Sequence, residues 1–211
     1  KSQQRMLKKY CQEKQYKKSF VQEKALYRRN PESLDRIIDL AITAEDNKDI
    51  ETATDIFSYI LQTSQERDVL LLAHQSLLEI EAKSATKKQL DKIKESYLSL
   101  FVDYGKLGST LSLQLSYGQF LAFKMNKPIE ASDFLKQSYK LDVSPFQEGL
   151  VKLRLADILV LQEKFNEALI FYTQIKTSLK NSTIAQEAAY KIAKTSYYKG
   201  DFEWAESQLK V

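Results

Sequence analysis

The sequence predicts an all-α fold, with about six helix–turn–helix units stacked side by side into an α–α superhelix. Three observations predict it. Glycine and proline are scarce, at 5 and 3 in 211 residues, and a β-rich chain of this length would draw on them for many tight turns. Leu, Ala, Lys, Gln and Glu fill long stretches, and these side chains lose little rotamer freedom in a helix. A pattern of small and large apolar residues recurs at a nearly fixed interval, which marks a repeat architecture.

The pattern is clearest in Asp49–Phe57, Lys164–Tyr172 and Gly200–Leu209. Each has an apolar or aromatic residue, two polar residues, a small residue, and a large apolar residue four positions later. Lys14–Phe20 shares all of this but the last residue, and Leu90–Tyr97 and Pro128–Leu135 are looser versions. The residues in register are Ser19, Ala53, Ile93, Ala131, Ala168 and Ala205, spaced by 34, 40, 38, 37 and 37. A preceding helical stretch in each unit carries its own close-approach residue at Leu7, Ala41, Gln119, Ala156 and Ala193, with Glu81 breaking the pattern in the third. Two antiparallel helices of three to four turns with their connections occupy about 34 residues. Small residues let the paired helices approach, and large ones at i+4 fill the groove to the next unit. No unit hides its apolar stripe alone, so units must stack.

Twelve helices follow, in the pairs 3–13 with 16–29, 33–47 with 50–63, 67–84 with 87–103, 109–125 with 129–141, 146–162 with 165–179, and 183–199 with 202–211. The units they make are about 1–31, 32–65, 66–106, 107–144, 145–181 and 182–211, the last one truncated. Asn30-Pro31-Glu32-Ser33 and Asp142-Val143-Ser144-Pro145 each stop one helix and start another, because proline disfavours helix before it and suits a helix start. Gly200-Asp201 makes the tight turn of the last unit, and Asn181-Ser182-Thr183 caps the helix after it.

These residues resemble the tetratricopeptide repeat family. Leu155-Ala156, Leu159, Phe165, Ala168, Tyr172 and Ile175 stand where that family places its packing residues, as do Ala189, Ile192-Ala193, Gly200, Phe202, Ala205 and Leu209. The second unit fits through Leu40-Ala41, Ala44, Ile50, Ala53 and Phe57, while Glu23 in the first occupies a place where a large apolar residue is expected. Within the family, Gln22–Ser33 and Ala193–Trp204 are similar in texture to multi-repeat bacterial cell-envelope proteins, which implies a periplasmic location with the secretion signal outside this sequence. The chain opens at Lys1 without Met and ends at Val211 inside an amphipathic pattern, so it reads as a fragment of a longer chain. Trp204, Leu209 and Val211 are then expected to offer apolar surface to a following helix or a partner.

The resemblance also implies a function, that of a scaffold binding a partner protein or peptide in a concave groove lined by the first helix of each unit. Projected onto this sequence, that face holds Asp35, Ile38, Ile42 and Glu45, then Ser116, Phe120, Phe123 and Lys124, then Asp157, and finally Glu187, Tyr190, Lys194, Tyr197 and Tyr198. Tyrosines beside a lysine supply rigid amphipathic area, the chemistry enriched at binding hot spots.

Catalytic chemistry has little to stand on, and no enzyme, cofactor, metal or small-molecule substrate is expected. His74 is the single histidine and sits in the apolar stretch Val69–Leu78 as a packing residue; Cys11, the single cysteine, is a helix-packing thiol among lysines. Zinc needs more such ligands, and no phosphate-cradling glycine motif exists beyond the loop Gly105–Gly108. Asn181-Ser182-Thr183 matches a glycosylation acceptor but serves as a helix cap. No apolar run approaches the ~20 residues of a membrane span. Residues 1–29 carry ten basic and two acidic side chains, against 22 and 26 in the rest. With Tyr10, Tyr16, Phe20 and Tyr27 interleaved, that basic end offers a second reading, single-stranded nucleic-acid binding. The spacing of those aromatics favours a packing stripe instead.

Overall fold

The structure, a computed structural model, describes residues 15–31 and 34–209. The helix expected over 3–13, with Leu7 and Cys11, lies outside the described residues, as does Val211. Eleven α-helices and no strand occur among the described residues: α1 Tyr16–Arg29, α2 Asp35–Asp46, α3 Ile50–Thr63, α4 Arg67–Ser84, α5 Lys87–Tyr104, α6 Leu111–Gln119, α7 Pro128–Ser138, α8 Pro145–Leu161, α9 Phe165–Ser178, α10 Thr183–Lys199 and α11 Phe202–Leu209. None of these helices is long and apolar enough to cross a membrane. The chain divides into two compact units, 1–85 and 86–211.

Helix starts follow the residues that signal them. Ser144 and Gln147 form a reciprocal capping box, with Gln147 N donating to Ser144 Oγ at 3.3 Å and Ser144 N donating to Gln147 Oε1 at 3.0 Å. Pro128 and Pro145 open α7 and α8, where a missing N–H costs nothing. Ser182 Oγ accepts from Ala185 N at 3.1 Å and Asp49 Oδ1 from Thr52 N at 3.2 Å.

The turns inside the hairpins share one geometry. Lys48, Asn126, Glu163 and Gly200 all have positive φ, at 67°, 55°, 59° and 90°, and each stands two residues before the next helix. The following N–H reaches back to the last turn of the preceding helix: Asp49 to Ala44 O, Lys164 to Leu159 O and Asp201 to Ser196 O, all at 2.9 Å. This is a Schellman-type close. Only Gly200 adopts the left-handed conformation freely; the other three carry a Cβ into it.

In the first unit, Phe20, Ile37, Leu40, Ala41, Ala53, Ile56, Phe57 and Ile60 belong to a common core, with Tyr16 among them. Each large side chain so buried contributes about 1.5–3 kcal/mol. Ser19, Ala41 and Ala53 are fully buried, as their close-approach role requires. Glu23 is buried too, because its carboxylate meets Arg36 at 2.7 Å. Tyr16 and Phe20 are therefore core residues, and their faces are not open for stacking on bases. Glu45, placed on the open face by the sequence, pairs with Lys83 at 2.6 Å.

In the second unit, Ile93, Ala131, Ala156, Ala168, Ala193 and Ala205 are buried. Here α6 does not end at Gln119 but runs on through a π-turn, Phe120–Lys124. Lys127 N consequently donates to Leu121 O, one residue further back than in the other turns. The extra residue rotates everything upstream by about 100° relative to an uninterrupted α-helix. This corrects two expectations. The close-approach residue is Gly118 and not Gln119: a Cβ at Gly118 would lie 2.7 Å from Leu135 Cγ. Phe120, expected on the partner face, is turned inward and only 4% exposed. Its ring lies 5.3 Å from Tyr97 and 6.4 Å from Tyr117, in a cluster continued by Phe101 and Phe134. Ser116 is buried for the same reason and shares a 2.8 Å hydrogen bond with the Tyr97 hydroxyl.

Candidate functional site

In the second unit, α8, α9, α10 and the π-turn enclose a cleft of about 260 Å³ lined by Phe123, Asp157, Val160, Tyr172, Tyr190, Lys191, Lys194, Thr195 and Tyr198. Its rim is aromatic and open, with Phe123 52%, Tyr190 59% and Tyr198 52% exposed. Tyr190, Lys194 and Tyr198 are spaced by four, so they form one ridge along α10. Lys194 Nζ lies 5.7 Å from the Tyr198 ring centre, within reach of a cation–π attraction.

The wall beneath is polar and closed upon itself. Asp157 accepts from the Tyr172 hydroxyl at 2.5 Å and, through both carboxylate oxygens, from Lys191 Nζ at 2.6 Å. Arg154 stands 3.7 Å away, and Glu187 pairs with Lys191 at 3.3 Å. Burial first, then the negative charge of Asp157, push the Tyr172 hydroxyl far above the ordinary tyrosine range. Tyr172 therefore remains a hydrogen-bond donor and holds Asp157 in place.

Of the positions singled out in the sequence, Phe123, Asp157, Tyr190, Lys194 and Tyr198 come together around this cleft. Tyr197 does not line it. That ring is 60% exposed and turned toward α11, 5.2 Å from Phe202 and 6.3 Å from Tyr198. Lys124 is exposed on the π-turn beside Phe123. Ile38 and Ile42 belong to the first unit, Ile38 half-buried and Ile42 exposed. Lys191, Tyr172, Val160 and Thr195 were not legible as site residues. Lys191 stands 34 positions after its partner Asp157, and in the sequence Tyr172 carries only the signal of a packing residue.

No protein-family model matches the sequence, and no curated protein matches it. Solved structures do match in three dimensions. The crystal structure of BtubC (BKLC) from P. vanneervenii superposes with a TM-score of 0.66 at 15% identity, covering 97% of this chain and 88% of that one. TTC0263, a thermophilic TPR protein in Thermus thermophilus, superposes with a TM-score of 0.61 at 14% identity, covering 89% and 96%. A tetratricopeptide repeat protein from Parabacteroides merdae does so with a TM-score of 0.63 at 10% identity, covering 99% and 77%. At such low identities the likeness is one of fold, and the protein has the all-α helical-repeat fold of tetratricopeptide repeat proteins.

Proposed function

We propose that this protein is an interaction scaffold rather than an enzyme, and that its second unit docks a segment of a partner protein on the face formed by Phe123, Tyr190, Lys194 and Tyr198, with Asp157 beneath. One observation carries the reading. Three large aromatic side chains, each about half exposed, gather around a single cleft although a folded chain normally hides such area. Aromatic rims around a partly polar floor are the chemistry of binding hot spots. Tyr197 and Lys124 extend the same face, and Ile38 and Ile42 offer apolar surface of their own on the first unit. The resemblance of residues 22–33 and 193–204 to cell-envelope repeat proteins supports a periplasmic setting for the scaffold.

Changing Tyr190 and Tyr198 together to Ala is expected to weaken partner recovery in pull-downs from native lysate while leaving the melting temperature unchanged, since both rings stand in solvent. Recovery of the same partners at the same yield would show that the docking face lies elsewhere.

A further inference from the structure

We infer that the segment docked here carries an acidic side chain next to a large apolar anchor, and that Lys194 selects it. The inference rests on the docking face proposed above and specifies its chemistry. The charges around the cleft are unevenly matched. Asp157 has both oxygens occupied by Lys191, and Oδ1 also accepts from Tyr172. Glu187 is engaged with Lys191 as well. Arg154 stands 3.7 Å from Asp157, so the two carboxylates face two cations and carry no net charge between them. Lys194 differs. It is exposed, lies one helical turn from Tyr190 and one from Tyr198, and makes no ion pair among the described residues. Lys124, next to Phe123, likewise pairs with no carboxylate among the described residues. The uncompensated charges beside the aromatic rim are thus both positive.

The cleft sets the other half of the ligand. Its walls are Phe123, Val160 and the two tyrosine rings, and at about 260 Å³ it falls just below the roughly 300–1,000 Å³ of small-molecule sites. That is room for a large side chain of a peptide. An acidic residue within a turn of that anchor reaches Lys194, which stands between the tyrosines. A single-stranded nucleic acid also combines flat rings with negative charge, but it brings a row of phosphates, and beside this rim only Lys194 and Lys124 stand uncompensated among the described residues. A peptide places one negative charge where the lysine is and none elsewhere.

A displayed library of random short peptides, selected on the wild-type protein, on Lys194→Glu, on Lys194→Arg and on the Tyr190→Ala/Tyr198→Ala protein, tests this. Enrichment on wild type of Asp or Glu close to Leu, Met, Phe or Trp is expected, retained by Lys194→Arg and exchanged for Lys or Arg by Lys194→Glu. Synthetic capped copies of the enriched peptides should bind Lys194→Glu about tenfold more weakly, as reversal of a rim charge allows. Matching circular-dichroism melts establish that the exposed substitution leaves the fold intact. Peptides lost on the tyrosine variant but indifferent to Lys194→Glu overturn the acidic selection and leave the docking face standing. Peptides that bind the tyrosine variant equally, or no enrichment at all, overturn both. Oligothymidine binding abolished by the tyrosine variant, with no peptide enriched, replaces the peptide by nucleic acid.

Discussion

Replacing Asp157 with Ala removes a carboxylate shared by three partners. Tyr172 is buried and would lose the acceptor of its hydroxyl, which costs about 1–3 kcal/mol for an orphaned buried donor. Lys191 would lose the closer of its two carboxylates and keep Glu187 at 3.3 Å. Breaking a buried pair from one side costs about 3–5 kcal/mol. The Asp157 and Lys191 side chains are 14% and 22% exposed, so water relieves part of that, and a loss of about 2–4 kcal/mol is expected. Urea unfolding followed by circular dichroism reads it as a lower midpoint at unchanged slope. Tyr172→Phe alone should cost about 1 kcal/mol. In the double variant no hydroxyl is left orphaned, so the two losses should fall short of their sum by about 1 kcal/mol. Strict additivity, or an Asp157→Ala loss under about 0.5 kcal/mol, would refute the coupling of Tyr172 and Lys191 through Asp157.

Gly118→Ala should destabilise by about 1–3 kcal/mol, because its Cβ would stand 2.7, 2.8 and 2.9 Å from Leu135 Cγ, Cδ2 and Cδ1 with Leu135 fully buried; a thermal melt matching wild type would contradict the close approach. Glu163→Gly should stabilise by about 0.5–1 kcal/mol by relieving a left-handed backbone, read as a raised urea midpoint. The raised pKa of Tyr172 gives a pH signature. Its proton is kept in the fold and lost from the unfolded chain above pH 10.0, so its contribution is complete below that pH and declines as pH rises beyond it. The stability difference between wild type and Tyr172→Phe should therefore shrink in alkaline solution and stay constant near neutrality.

Most helix ends were legible to a residue or two because they depend on local chemistry, although Pro128–Ser138 stops three residues short of the expected 141. Ile50–Thr63, Arg67–Ser84 and Thr183–Lys199 begin and end where the sequence places them, since polar caps, proline and the apolar period act over a few residues. The π-turn at Phe120–Lys124 was not legible. Nothing in Phe-Leu-Ala-Phe-Lys forbids an ordinary α-helix, and the preference for an added residue arises from packing the Tyr97, Tyr117 and Phe134 rings around Phe120. One added residue was enough to move Phe120 from an expected binding face into the core.

The sequence alone determined that the chain is helical, where its hairpin turns fall and most of the small residues at close approach, Gly118 excepted, because each of these is decided within one or two turns of helix. Only the tertiary structure decided which side chains share a site. Asp157 finds Lys191 across two helices, Phe123 arrives from a π-turn whose phase depends on neighbouring rings, and Lys194 is left without a counter-charge because Lys191 holds the nearby carboxylates. Such pairings are set by distances between residues far apart in the chain, and a local pattern does not encode them.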